Sequence, residues 1–211
     1  MTGTDDNLSA LAALLSAYAG RDAARHRLIW ALDARLARLV ATTSEPMIGQ
    51  MRLAWWDEAL TDDSGVKGRG EPLIDALRAI DATPIPGLSR WLDGWEAMIG
   101  EADLHAYGEG RGGGLFHALA GALPDWLAQA GMVWALWDMS GHVGDEQVAA
   151  RAVAMARAHL LTEKPNWPAA WKPLRIAYHL ARQDLENGRR APAGLTPILY
   201  LRLMRIGLIG R

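Results

Sequence analysis

The 211-residue sequence contains no cysteine, one phenylalanine and four tyrosines. Without cysteine the chain has no disulfide, no thiolate zinc site and no cysteine nucleophile, and this absence fits a reducing compartment. Half of the residues are hydrophobic, which excludes an intrinsically disordered chain. Alanine and leucine dominate this apolar half, and such side chains lose little rotamer freedom in a helix. The composition therefore favours helices over strands.

The chain also lacks a marked excess of charge of either sign. Its formal net charge of −2 gives no electrostatic reason to bind nucleic acid, so nucleic acid is not an expected partner. Asp5 and Asp6 stand where a secretory signal would carry positive charge. No segment reaches the ~18 consecutive apolar residues that suggest a membrane-spanning helix. We expect a cytoplasmic location.

Apolar residues recur at spacings of three and four along most of the chain, and no segment alternates with a period of two. Helix signals punctuate this pattern: Ser44 is a predicted N-cap, Asn187-Gly188 a stop, and Thr196-Pro197 a start. Residues 107–121 hold six glycines and are interpreted as either a kinked helix or a helix–loop–helix. The pattern predicts one all-α domain over residues 1–211.

The segment Arg25–Leu60 combines an arginine-bearing apolar helix, a short polar break and a tryptophan-rich helix. The residues that carry this combination are Ser44, Glu45, Pro46, Gly49, Met51, Arg52, Leu53, Trp55 and Trp56. It resembles the second and third helices of the squalene/phytoene synthase family, in which an I/M-R-L-x-W-W segment follows a similar break. The resemblance implies a helical bundle of the isoprenoid-synthase type around a deep apolar cavity.

In active members of that family, two D-x-x-x-D motifs face each other across the cavity mouth and hold Mg²⁺ ions that bind the diphosphate leaving group. Mg²⁺ prefers oxygen ligands and stabilises the charge that develops on that group. Placed on this sequence, the first motif falls on Ala37 and Ala41, with Arg38 between them. The second falls near His142 and Glu146, with an uncertainty of one helical turn. The resemblance therefore predicts that the first metal site is lost and that no metal is bound.

A non-catalytic branch of the family, which includes the mitochondrial assembly factor of respiratory complex I, keeps an S-E-x-x-x-G-x-M-R-x-x-W pattern without the aspartates. The matching residues here are Ser44, Glu45, Gly49, Met51, Arg52 and Trp55. This second similarity implies a partner-binding or assembly role rather than catalysis.

Several acidic and histidine residues are spaced so that they could replace the missing aspartates. Glu58 and Asp62 lie four residues apart, although the end of a helix beside a polar loop favours solvated surface. Two sets have the i, i+4, i+8 spacing of metal ligands on a regular helix, namely Asp138, His142 and Glu146, and Glu101, His105 and Glu109. Nearby glycines argue against that regularity. The glycine run at residues 108–114 favours close helix packing or a hinge over phosphate binding.

Ten tryptophans, many on apolar helical faces, indicate either core packing or an aromatic-walled cavity for a prenyl or lipid-like chain. The candidate cavity residues are Trp30, Met51, Arg52, Trp55 and Trp134. The last helix, Ile198–Ile209, is apolar nearly all round apart from two arginines. It is expected to pack in the bundle, with peripheral membrane contact as the alternative.

Three hypotheses follow from these patterns. The preferred one is a catalytically degenerate family member that binds a protein partner or a prenyl- or lipid-like ligand and uses no cofactor. The second is an active, Mg²⁺-dependent prenyltransferase with a rearranged acid set drawn from Glu58, Asp62, His142 and Glu146. The third is a packed bundle without a cavity that acts only as an interaction scaffold.

Overall fold

The computed structural model describes residues 8–192 and 194–209, and all regular secondary structure within these two ranges is helical. The helices are α1 Ala10–Ala17, α2 Ala23–Ala41, α3 Pro46–Thr61, α4 Pro72–Ala79, α5 Leu88–Glu96, α6 Leu104–Tyr107, α7 Gly113–Ala120, α8 Asp125–Ser140, α9 Glu146–Ala158, α10 Lys172–Glu186 and α11 Pro197–Ile209. The prediction of an all-α fold is confirmed.

Most predicted helix boundaries agree with the structure, but the start of α3 differs by one residue. Glu45, not Ser44, is the N-cap, with extended φ and ψ of −111° and 117° and no side-chain cap. Pro46 is the cause, because a proline disfavours the helical conformation in the residue before it. At the other predicted signals, Asn187 does end α10, and the Thr196 hydroxyl accepts the Leu199 N–H at 3.2 Å.

The glycine-rich segment forms one continuous helical path rather than a helix–loop–helix. A π-helical segment, Gly108–Gly112, joins α6 to α7, and the path ends at Gly121 with a left-handed φ of 75°. Glycine lets the backbones of neighbouring helices approach closely here. A Cβ on Gly112 would overlap the backbone of Gly131 in α8, and one on Gly110 would overlap Gly94 in α5. Of the two earlier alternatives for the run, close packing is therefore the one observed.

Helix α8 occupies the centre of the bundle. It packs against the π-helical segment, α7, α9 and α10, and nearly every residue from Ala130 to Ser140 is buried. The largest fully buried side chains nearby are Trp91, Trp137, Tyr107, Tyr178 and Phe116. The core thus lies between α5, α7, α8 and α10.

Helix α11 covers one side of α10 and is held there by both apolar and ionic contacts. Leu199, Leu203 and Ile206 are buried, and Arg202 forms a 2.9 Å ion pair with the buried Asp184. The opposite face of α11 is apolar and exposed. Among the described residues, no helix is both long and apolar enough to cross a membrane.

Candidate functional site

A cavity of about 490 Å³ lies between α1, α2, α5, α8 and the helical path through the π-helical segment. This volume falls in the range of about 300–1,000 Å³ that is typical of small-molecule sites. The cavity contradicts the third hypothesis, a bundle without a cavity. Its wall is mainly apolar and aromatic, formed by Leu15, Trp30, Ala37, Val40, Trp95, Met98, Tyr107, Trp134 and Met139.

Two pairs of aromatic rings define the inner wall. Trp30 and Trp134 meet edge to face at 5.0 Å between ring centroids, and Trp95 and Tyr107 do so at 5.5 Å. Edge-to-face geometry is a favoured arrangement for aromatic pairs, so these rings support one another. The indole N–H groups of Trp30 and Trp134 are buried and have no hydrogen-bond partner.

The base of the cavity is polar and is organised around Arg111. Its Nε and Nη2 donate to the two carboxylate oxygens of Asp33 at 3.1 and 2.6 Å, and its Nη1 donates to the Tyr107 hydroxyl at 2.6 Å. Nη2 also lies 2.9 Å from Oδ2 of Asp138. One guanidinium therefore connects α2, α6 and α8.

The guanidinium is also enclosed by aromatic rings. Its central carbon lies 4.7 Å from the ring centroid of Trp95 and 4.9 Å from that of Trp134. A cation within about 6 Å of such a ring is attracted to its π face. These rings and the two carboxylates together offset the cost of burying Arg111.

The two carboxylates differ in how fully they are bound. Asp33 is buried, and its Oδ1 accepts the indole N–H groups of Trp91 at 3.0 Å and Trp95 at 3.2 Å in addition to Arg111. Asp138 is less enclosed, with 18% of its side chain exposed against 6% for Asp33. Asp138 is therefore the carboxylate that the cavity presents.

The charge state of the base follows from burial and from these neighbours. Burial alone would lower the pKa of Arg111, but Asp33, Tyr107 and Asp138 outweigh it, and the pKa lies well above its ordinary value. Burial also raises the pKa of Tyr107 far above its usual range, although Arg111 opposes that rise. Arg111 is thus a cation and Tyr107 a neutral phenol at any physiological pH.

The mouth of the cavity is framed by the C-terminal ends of α2 and α8 and by the start of α1. Ala37 and Ala41 line it on α2, His142 follows α8, and Ser9 precedes α1. The Nδ1 of His142 lies 2.8 Å from the backbone oxygen of Asp138. The positions at which the family resemblance places its first motif thus border the cavity without offering a metal ligand.

The structure brings only two of the five predicted cavity residues, Trp30 and Trp134, to this cavity. Arg52 and Trp55 instead border a separate groove of about 510 Å³ between α2 and α3. Met51 is exposed on α3. Of the two interpretations of the tryptophans, Trp91 and Trp137 fit core packing, whereas Trp30 and Trp134 form a cavity wall.

The predicted acid set is dispersed over the surface. Glu58 forms a 2.8 Å ion pair with Lys67, and Glu146 pairs with Arg190 at 2.6 Å. Asp62 organises its own loop: hydrogen bonds from the Ser64 hydroxyl and then from the Lys67 N–H lower its pKa to about 2. Of the acid set, only His142 borders the cavity.

The two sets with metal-ligand spacing do not form metal sites among the described residues. The turn after Ser140 separates His142 from Glu146, which begins the next helix. His105 and Glu109 lie 3.7 Å apart on the surface, and no group of three or more acidic or histidine side chains is arranged to hold a metal in the described part of the chain.

The cavity base is a poor fit to Mg²⁺. Mg²⁺ is bound through carboxylate oxygens in near-octahedral geometry. Here the carboxylates of Asp33 and Asp138 already share the guanidinium of Arg111, whose positive charge would repel a divalent cation. The base is therefore an ionic cluster in which Arg111 already engages both carboxylates.

Sequence reasoning missed Asp33, Asp138 and Arg111 as one group. Asp33 lies one turn before the position assigned to the first motif, and Asp138 one turn before that of the second. The available signal for Arg111 was a single charged side chain inside a run of glycines. Comparison of the chain with protein-family models, curated proteins and solved structures gave no match.

Proposed function

We propose that this chain is a catalytically degenerate relative of the squalene/phytoene synthases that binds a ligand with an apolar chain in the α2–α8 cavity. The observation that carries the proposal is the aromatic cavity whose two carboxylates are held by Arg111. The wall offers a large apolar contact surface, and the base offers no cation that is available for a diphosphate.

The placement of the resembling segment supports the proposal. The resemblance assigns its two motif positions to α2 and to the end of α8, and both helices line the cavity. Ala37, Ala41 and His142 border it, which is where metal ligands of an active relative would be expected. The proposal explains why these positions lack carboxylates: catalysis was lost while the binding cavity was kept.

The alternative function, an active Mg²⁺-dependent prenyltransferase, would need several carboxylates to converge on one pocket. Glu58 and Asp62 both contact Lys67 at the surface, and Glu146 pairs with Arg190. The geometry therefore favours binding over turnover.

The proposal also includes a surface contact and a cytoplasmic location. Exposed apolar side chains occur on α3, at Met47 and Met51, and on α11, at Ile198, Leu201 and Leu208. Such exposed apolar surface favours a contact with another molecule. We assign the α11 face to peripheral membrane contact and the α3 face to a protein partner in an assembly role.

A blocked cavity tests the binding function directly. Farnesol, a neutral isoprenoid alcohol, is titrated while tryptophan fluorescence is recorded, because Trp30, Trp95 and Trp134 line the cavity. Ala37→Phe fills the mouth and should abolish the saturable signal. The matched control is Ala24→Phe on the exposed side of the same helix, which should bind farnesol as the unmodified protein does.

Catalysis is tested with farnesyl diphosphate and Mg²⁺. The expected result is no release of diphosphate above the rate without protein. Mg²⁺-dependent turnover that Asp138→Asn abolishes would overturn the proposal and establish the prenyltransferase instead. If farnesol does not bind, or if the Ala37→Phe variant binds it as well as the unmodified protein does, the proposed binding in the cavity is wrong.

A further inference from the structure

The charged side chains that line the cavity do not balance. Asp33 and Asp138 contribute two negative charges and Arg111 one positive charge, so these residues sum to −1. The other described lining residues are apolar or uncharged, apart from His142 at the mouth. An uncompensated charge beside apolar walls is costly, because water cannot solvate it as it would at the surface.

The guanidinium has little capacity left for an anionic ligand. Its Nε and both terminal nitrogens already contact Asp33, Tyr107 or Asp138 at 2.6 to 3.1 Å. A phosphate or carboxylate in the cavity would find these donors in use and would be repelled by the nearby Asp138 carboxylate. The base therefore disfavours an anionic head group.

The Asp138 carboxylate has the capacity that Arg111 lacks. Only its Oδ2 is in contact with Arg111, at 2.9 Å, and the ring of His142 is 4.0 Å from its Oδ1. An ionised carboxylate accepts several hydrogen bonds and prefers charged donors. Oδ1 of Asp138 is thus an acceptor on the cavity wall that can receive an N–H.

Two further features favour a cation at the same place. The π faces of Trp95 and Trp134 already attract the guanidinium, and aromatic walls of this kind attract other cations as well. The C-terminal ends of α2 and α8 frame the mouth, and a helix C-terminus carries partial negative charge. The carboxylate, the aromatic rings and the helix C-termini therefore all favour a bound cation.

We propose that the cavity binds a protonated amine that carries an apolar chain, with the ammonium group on Asp138 and the chain along the tryptophan wall. The inference rests on the proposed binding function and names the chemical class of its ligand. A monocation brings the lining to neutrality. The three donors of a primary ammonium suit the unoccupied oxygen of the carboxylate.

The test compares probes that share one chain and differ only in the head group. Decylamine, decanol and decanoate are titrated separately below their aggregation concentrations at pH 7, with calorimetry and tryptophan fluorescence as readouts. We expect decylamine to bind at least tenfold more tightly than decanol, and decanoate to bind more weakly than decanol.

Two variants assign the preference to Asp138. Asp138→Asn should bind decylamine and decanol with equal affinity, and saturable binding of decanol by this variant shows that the cavity is intact. The matched control is Asp93→Asn, an exposed aspartate of α5 outside the cavity, which should keep the tenfold preference.

A second substitution covers the case in which Asp138→Asn does not fold. His142→Lys adds a positive charge at the exposed mouth and should reduce the preference for decylamine at least threefold, whereas the neutral substitution His142→Gln should reduce it by less. If both Asp138→Asn and His142→Lys keep the full preference for decylamine, the inference is wrong.

The outcomes separate this inference from the function on which it rests. If decanol binds and Ala37→Phe blocks it, but decylamine binds no more tightly, the amine inference is wrong and the binding function stands. If decanoate binds most tightly, the charge argument is wrong. If none of the three probes binds, both proposals are wrong.

Discussion

Asp33 and Arg111 are 78 residues apart in sequence and meet through two hydrogen bonds, of 2.6 and 3.1 Å, at the base of the cavity. Only 5% of the Arg111 side chain and 6% of the Asp33 side chain are exposed. Removal of one member of a buried ion pair is much more costly than the net value of the pair, because it leaves the other charge without compensation.

Arg111→Met should therefore lower the free energy of unfolding by about 3–5 kcal/mol. The methionine retains much of the apolar contact with Trp95 and Trp134 but leaves Asp33 and Asp138 with no cation. Urea unfolding followed by circular dichroism measures the change.

The double variant Asp33→Asn/Arg111→Met provides the control for this prediction. Residues that interact directly give non-additive changes. The double variant should lose less stability than the two single variants lose together. Additive losses would show that the pair does not act as a unit.

The contact between α8 and the π-helical segment depends on two glycines. A Cβ on Gly112 would overlap the backbone of Gly131, which cannot move aside as a flexible side chain would. Gly112→Ala should destabilise the fold by at least ~1–3 kcal/mol, the usual cost of overpacking. Thermal or urea unfolding measures it.

Gly144 is the matched glycine for that experiment. A Cβ there would meet nothing within 4 Å, and its φ is not left-handed. Gly144→Ala should change the unfolding free energy by less than ~0.5 kcal/mol, the usual range for a surface site. Equal losses for the two variants would contradict the close-packing interpretation.

Stability should fall on acidification because of His26. Burial, and then the charge of Arg25, lower the pKa of this histidine from 6.5 to about 4 in the folded protein. The unfolded chain therefore binds the proton more readily between these values, so the stabilisation is present above pH 6.5 and is lost as the pH falls to about 4. The pKa difference corresponds to at most about 3–4 kcal/mol.

The measurement for His26 is the urea midpoint from pH 7.5 to pH 4, for the protein and for His26→Leu. The substitution should flatten the decline between pH 6.5 and 4. The exposed His105→Leu is the control, and its decline should stay steeper than that of His26→Leu. A decline of the same slope in His26→Leu would assign it to other groups.

The exposed face of α11 should bind vesicles that contain phosphatidylserine. Ile198, Leu201 and Leu208 are 72%, 65% and 81% exposed, and Arg205 is exposed beside them. Burial of one such side chain contributes about 1.5–3 kcal/mol, so the triple serine variant should bind at least ~10-fold more weakly. Vesicle cosedimentation measures the difference.

Met47→Ser/Met51→Ser, on the exposed face of α3, is the control for the vesicle experiment. It should sediment as the unmodified protein does, because that face is assigned to a protein partner. Failure of the unmodified protein to sediment would exclude the membrane contact.

The helices could be predicted from the sequence because their signals are local. Apolar spacing, prolines in first turns and the Asn187-Gly188 stop act within a few residues, and the structure follows them. Even the displaced cap of α3 has a local cause in Pro46.

The site could not be predicted in the same way because it depends on contacts between distant residues. In the sequence, Asp33 and Asp138 look like ordinary acidic residues of amphipathic helices. Only the fold places Arg111 between them. Met51 and Trp55 lie in the segment that carries the resemblance, but the orientation of α3 leaves both exposed. The spacing of apolar residues in the sequence does not show which face of α3 packs against the bundle.

The widened turn that carries Arg111 has a consequence for how the sequence can change. A π-helical segment holds one more residue per turn than the α-helix around it, and each residue of an α-helix turns the chain by about 100°. Loss of a single glycine from Gly108–Gly112 would let this turn wind as a regular α-helix, which changes the directions of the side chains inside the turn, including Arg111, while the flanking helices keep their positions. One codon therefore separates a guanidinium held between two carboxylates from one directed at another neighbour, so the length of this stretch is constrained as well as its glycine content.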